Sequence, residues 1–163
     1  MIYLILIVVF LSLLVAYTYY GQHKVKKTRD LSKMSFKESM DLTELPVVTF
    51  MVDGVKVNFL LDTGSNVSYI NETLLPTLKH TPLDSVSRTV GIEGNIFDNK
   101  HCVLHLTYKE FEFKSIFAVA NIDNAFNALK KENGINIHGL LGSKFFQEYN
   151  YVFDFEELIA YMK

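Results

Sequence analysis

The sequence predicts a mostly β domain with one or two short helices, preceded by a single transmembrane helix. Three observations carry that reading. Ile2 to Tyr20 is apolar almost throughout, with Ser12 and Thr18 the only clearly polar interruptions. Asp53-Gly54 sits between two β-rich runs, Val47 to Val52 and Val55 to Leu61, which is the pattern of a tight hairpin. Cys102 to Tyr108 and Glu110 to Ala120 then alternate or run apolar, giving two more strands.

Length and composition bound the rest. The chain has 163 residues, enough for one globular domain plus an N-terminal appendage. Hydrophobic residues make up 49%, which supports a real core even after the first segment is set aside. A formal net charge of -2 argues against a nucleic-acid surface. The single Cys102 excludes an intrachain disulfide framework and fits a reducing compartment. As a lone cysteine among apolar neighbours it reads as a small core residue.

Taken in order, the chain divides into an anchor over 1–21, a basic juxtamembrane linker over 22–44 and a folded domain over 45–163. The apolar run is long enough to cross the hydrocarbon layer as a helix. It lacks a basic residue ahead of it, is long for a secretory signal and shows no clear small-x-small cleavage site. A buried core helix would carry a polar face, and this one has none. Tyr3 at one end and Tyr17, Tyr19 and Tyr20 at the other suit the membrane interfaces. His23, Lys24, Lys26, Lys27 and Arg29 follow, and nothing basic precedes the span, so the positive-inside rule places the C-terminal domain on the cytoplasmic side. Membrane lipid is therefore one expected partner.

Residues 30–44 read as a linker or short helix. Pro46 suits a strand start. Val67 to Ile70 is a short strand, and Asn71 to Leu78 a brief helical turn broken at Pro76. Gly91 and Gly94 within Arg88 to Phe97 mark a hairpin tip. Asp123 to Asn133 has helix character, with Asp123 as a candidate cap and Gly134 as a stop. Ser143 to Tyr149 is a second short helix. Tyr151 to Phe155 and Leu158 to Met162 are terminal strands, the last with the option of pairing with another chain.

The stretch Phe59-Leu60-Leu61-Asp62-Thr63-Gly64-Ser65 organises the domain. A carboxylate directly after three large apolar residues is costly to bury unless it is hydrogen-bonded. Thr63 and Ser65 bring hydroxyls, and Gly64 lets the backbone approach without a Cβ. Asp-Thr-Gly-Ser after an apolar strand resembles the active-site loop of the aspartic proteases. Because the tetrapeptide occurs once in a short chain, the resemblance is to the retroviral-type, retropepsin-like branch. A second block, Gly139-Leu140-Leu141-Gly142-Ser143-Lys144-Phe145-Phe146, resembles that family's late pair of apolar residues and Gly leading into a short helix. Tyr151 to Phe155 resembles the strand after it, so the resemblance covers roughly residues 45–163.

The resemblance implies a closed β-barrel domain working as a homodimer, with a protein or peptide substrate and no cofactor. It implies that Asp62 is the catalytic acid and base, that Thr63 bonds across the dimer axis, that Gly64 allows the close turn and that Ser65 hydrogen-bonds the outer carboxylate oxygen. It implies that Gly91, Ile92, Glu93, Gly94 and Asn95 form a flap over substrate, and that Leu140, Leu141 and Gly142 are the late motif. Peptide hydrolysis by water needs one carboxylate to take a proton and one acid to give one. Asp53, Asp84, Asp98, Asp123 and Asp154 lack the motif context, so the second carboxylate is expected to be Asp62 of another copy.

Other readings are weaker. His101 and His105 lie in a strand-like run, where four residues span about 13 Å, too far to share one metal ion. His138 beside Gly139 reads as structural. Asn66-Val67-Ser68 and Asn71-Glu72-Thr73 match the glycosylation pattern, and a glycan on Asn66 would crowd the proposed site. The rival from another class is a non-catalytic peptide-binding module that keeps the dimeric protease fold.

Overall fold

A computed structural model describes residues 1–90 and 96–163. Its centre is a closed six-strand barrel. The strands are β2 (Val47–Val52), β3 (Val55–Leu61), β4 (Ser68–Asn71), β6 (Ile96–Tyr108), β7 (Phe111–Ala120) and β8 (Gly139–Leu141). Their order around the wall is β2-β3-β8-β4-β7-β6, and pairing of Met51 with Thr107 joins β6 back to β2. An additional strand, β5 (Thr81–Val90), lies outside on β6. The barrel closure implied by the resemblance is therefore present.

The β2–β3 hairpin closes as the sequence predicts. Asp53 and Gly54 both have positive φ, 47° and 86°, which the tightest hairpin turn requires at its two central positions. Alternate residues of these strands point inward, and five phenylalanines meet in the middle. Phe50 lies 5.8 Å from Phe59, 5.9 Å from Phe113 and 6.3 Å from Phe145, all edge-to-face, and Phe59 lies 5.5 Å from Phe117. Such pairs contribute about 0.5–1.5 kcal/mol each beyond the area they bury. Cys102 is buried among the core residues, as a small apolar side chain would be.

Three helices decorate the barrel: α2 (Lys37–Thr43), α3 (Asp123–Asn133) and α4 (Ser143–Glu148). Helix α3 ends on Gly134 in the left-handed region, φ 70°. Asp123 does not cap it: Asp123 is its first residue, and its carboxylate instead accepts the Asn71 side-chain amide at 2.6 Å. Pro76 opens rather than breaks the turn at Leu75–Thr77, in keeping with its fixed φ at a helical start.

The N-terminal third departs most from expectation. Helix α1 (Ile2–Ser32) runs without interruption through the basic segment. Strand β1 (Met34–Ser35) follows it at once and pairs with β10 (Ile159–Met162), which pairs with β9 (Tyr151–Asp154). Met34 and Phe36 are fully buried, and the Ser39 hydroxyl accepts the Val47 N–H. Residues 30–44 are expected from sequence to be a linker or short helix; 37–43 do form helix α2, and 34–43 pack as part of the folded body. The physical reason is the Met34-Ser35-Phe36 alternation, which places two large apolar side chains on the core side of a strand. β10 likewise pairs on both sides within its own chain, so the option of its pairing with another chain is closed. The Ile5–Ser32 stretch is apolar and long enough to cross a membrane, and none of its most apolar window is buried.

Candidate active site

Asp62 leaves the end of β3, where its N–H donates to the Leu141 carbonyl of β8 at 2.9 Å. Strands β3 and β8 run parallel, with Leu60 opposite Leu140 and Leu61 opposite Leu141. The two sequence blocks, almost 80 residues apart, are therefore neighbours, and the second forms the floor under the first. Leu61 and Leu141 point into the core, while Leu60 and Leu140 are half-buried on the opposite face.

The loop is held from both sides. The Gly64 N–H donates to Asp62 Oδ1 at 2.9 Å, so the carboxylate is oriented by the backbone two residues on. The Ser65 N–H donates to the Asp62 carbonyl at 3.3 Å. The Ser143 N–H donates to the Ser65 carbonyl at 2.7 Å, and the Gly142 N–H donates to the buried Ser68 hydroxyl at 3.0 Å. One expected bond is different: the Ser65 hydroxyl donates to the Val67 carbonyl at 2.7 Å rather than to the carboxylate. The turn backbone supplies its acceptor. Asp62 is half-buried, and Thr63 and Gly64 are exposed at the loop tip.

The glycines of the second block have a steric cause. A Cβ on Gly142 would lie 2.4 Å from the Val67 carbonyl oxygen and 2.9 Å from that of Ser65. A Cβ on Gly139 would lie 2.4 Å from the Tyr69 carbonyl oxygen and 2.7 Å from the Phe59 ring. Only glycine lets β8 pass this close beneath the loop.

Several supports carry no motif in the sequence. Asn71 is buried, bonds Asp123 and accepts the Thr73 N–H, which ties β4 to α3. That burial also removes Asn71 as a glycosylation acceptor. His138 Nδ1 accepts the Asn58 N–H at 2.9 Å, and Nε2 lies 3.0 Å from the Asn136 side-chain amide. Burial, with Lys130 adding to it, holds the His138 pKa below its ordinary value. His138 thus acts as a structural pin between β3 and β8, as its place in the sequence suggests. His101 and His105 both lie in β6, and the described residues hold no cluster of three metal-ligating side chains. The flap residues Gly91, Ile92, Glu93, Gly94 and Asn95 lie outside the described residues.

A model of the family described as aspartyl protease matches residues 48–145, which include the first block and all of the second but Phe146. Among solved structures, one described as EIAV protease complexed with the inhibitor HBY-793 is similar, at 19% identity and a TM-score of 0.49. The match covers 66% of this chain and 90% of that one. No curated protein sequence matches the chain significantly.

Proposed function

This chain belongs to the aspartyl protease family, and from that premise we propose that it is a membrane-anchored, retropepsin-type endopeptidase that works as a homodimer. The observation that carries the reading is the single Asp-Thr-Gly loop, held by its own backbone over the Gly139–Gly142 block, with one half-exposed carboxylate at its mouth. One such carboxylate is half of an acid–base pair. The other half is Asp62 of a second copy. Two adjacent carboxylates share one proton because both do not readily ionise together. The ionised Asp62 takes a proton from water, the protonated one gives a proton to the scissile carbonyl oxygen, and the roles reverse as the amine leaves.

Thr63, exposed at the tip, bonds across the twofold axis. The substrate is an extended peptide that pairs by its backbone. Leu60 and Leu140, half-buried beside Asp62, favour apolar side chains near the cut bond. The Ile2–Ser32 helix spans the membrane, and its basic end keeps the catalytic domain on the cytoplasmic side. Anchoring raises the effective concentration of the two halves.

The test is cleavage of a diverse peptide mixture by the full chain in lipid nanodiscs, from acid to neutral pH, beside Asp62→Ala. Cleavage by wild type alone, with apolar residues flanking the cut, is expected. A folded wild-type dimer that captures peptides and cuts none at any pH would overturn the proposal in favour of a binding module.

A further inference from the structure

The seam that closes the barrel leaves the backbone of His105 without a partner strand among the described residues. Strand β5 begins at Thr81, opposite Val103 of β6, and β2 meets β6 only through Met51, opposite Thr107. His105 lies midway between them. The continued registers would set Lys79 or Asp53 opposite it, but Lys79 precedes the start of β5 and Asp53 turns off at φ 47° into the β2–β3 hairpin. The phase of β6 shows which way His105 faces. On β7, Lys114 lies opposite His105. The Lys114 N–H donates to the Tyr149 hydroxyl, and that hydroxyl donates to the Lys114 carbonyl, each at 2.9 Å. Both groups of Lys114 therefore turn away from β6, and the pair is of the non-hydrogen-bonded kind. The His105 N–H and C=O then turn away from β7, into the seam. Val103 and Thr107 face the same way, and those are the residues that β5 and β2 engage.

The seam opens into a cavity of about 670 Å³, whose walls carry Asp53, Lys79, His105, Glu112 and Lys114. That volume lies within the range of small-ligand sites, about 300–1,000 Å³. The cavity is remote from the catalytic loop. Asp53 precedes β3 and Asp62 follows it, and the strand's seven residues put roughly 20 Å between the two. The four charges on the walls do not neutralise one another, since the one salt bridge among the described residues joins Lys33 to Asp30. A simple anion would meet Asp53 and Glu112 there, and a simple cation would meet Lys79 and Lys114. A ligand with an amide in its middle and opposite charges at its ends suits all of these groups. Its length is bounded as well. Val103 to Thr107 spans about 13 Å, and Thr81 and Met51 stop a longer strand at both ends. One extended residue fits between them, with its neighbours turned into the cavity, and main-chain hydrogen bonds of this kind supply affinity for peptides.

We propose that the seam at His105 is a second, non-catalytic binding site that takes a free di- or tripeptide. One residue of the peptide pairs its N–H and C=O with those of His105. Its carboxylate end meets Lys79 and Lys114, and its amino end meets Asp53 and Glu112. The inference goes beyond the protease reading and does not depend on it.

The experiment is equilibrium dialysis of radiolabelled trialanine against the full chain in nanodiscs, with empty nanodiscs as the blank. Wild type and Asp62→Ala are expected to bind it equally. The C-terminal amide and the N-acetyl form of trialanine should each bind at least about tenfold more weakly, as the loss of a charge-assisted bond implies. Lys79→Met combined with Lys114→Met should weaken trialanine by a similar factor and leave binding of its amide unchanged. His105→Pro removes an N–H that the ladder with β7 does not use, so it should weaken binding, whereas His105→Ala keeps the backbone pair and should bind as wild type does. No saturable binding of trialanine, equal binding of the three peptides, or full binding by the folded lysine double variant would overturn the inference, whether or not the protein cleaves peptide. Binding lost in Asp62→Ala would place the peptide at the catalytic loop and overturn it as well.

Discussion

Replacing Gly142 by alanine tests the link between packing and chemistry most directly. The added methyl would lie 2.4 Å from the Val67 carbonyl oxygen, 2.5 Å from the Val67 carbonyl carbon and 2.9 Å from the Ser65 carbonyl oxygen. All three are backbone atoms, so no side-chain rotation relieves the contact. Restoring an ordinary van der Waals distance needs a displacement of roughly 1 Å in the turn. The Gly142 N–H to Ser68 bond, at 3.0 Å, and the Ser143 N–H to Ser65 bond, at 2.7 Å, stretch with it. Overpacking of this kind costs about 1–3 kcal/mol. A shift of about 1 Å at a reacting group costs on the order of 100-fold in rate. Urea denaturation and peptide turnover, measured side by side, should therefore both fall, and turnover by far more than the folded fraction explains. Gly54→Ala is the contrast. Its methyl meets nothing within 4 Å, but φ is 86°. It should lose about 1 kcal/mol of stability through backbone strain and keep its turnover. Gly142→Ala with wild-type stability and turnover would refute the claim that β8 positions the loop.

Three further outcomes are expected. Asn71→Ala removes the bond to Asp123 and the acceptor for the Thr73 N–H, and should lower stability by about 1–3 kcal/mol in urea denaturation; a loss indistinguishable from zero would show that β4 and α3 are not tied there. The His138 pKa is held below its ordinary 6.5, so the unfolded chain binds the proton more readily. Stability from this group is present above that value and falls as pH drops below it, because protonated Nδ1 can no longer accept the Asn58 N–H. Denaturation curves across this window should show that slope, and His138→Gln should flatten it; equal slopes in the two proteins would count against the pin. Burial pushes the Cys102 thiol up to about 11. Mass spectrometry after iodoacetamide at mildly alkaline pH should find it unmodified in the folded protein and alkylated in urea; rapid labelling of the folded protein would contradict its place in the core.

What the sequence made legible was local chemistry. Asp53-Gly54 named its hairpin because two positive φ values leave few residue choices. Gly134 named the end of α3 for the same reason. The block around Asp62 could be read because a charge directly after apolar residues is costly to bury, and the block around Gly142 through its resemblance to the family's late motif. What stayed hidden depended on contacts distant in sequence. The packing of 34–43 into the body stayed hidden because Met34 and Phe36 are too short a signal until β10, over 120 residues later, is beside them. The Ser65 hydroxyl is bonded to the Val67 carbonyl, an acceptor that only the turn geometry reveals. Asn71 looked like a glycosylation acceptor because its burial depends on Asp123, on another element.

The seamless passage from α1 into β1 has a consequence for reach. Helix α1 has 31 residues, a rod of about 46 Å at about 1.5 Å per residue. If, as proposed, the helix spans a membrane with roughly 30 Å of it in hydrocarbon, some 15 Å would stand clear before the chain enters the sheet. The rod does not swivel freely at its top, because Ser32 is bonded to Met162 and the Arg29 guanidinium lies 4.1 Å over the Tyr161 ring. A catalytic head on a floppy tether would sweep a hemisphere. On the proposed membrane anchoring this one would work at a set altitude, and a peptide bond would be within its range only when its owner presents it in that thin layer above the bilayer. Height, as much as sequence, would then select what is cut.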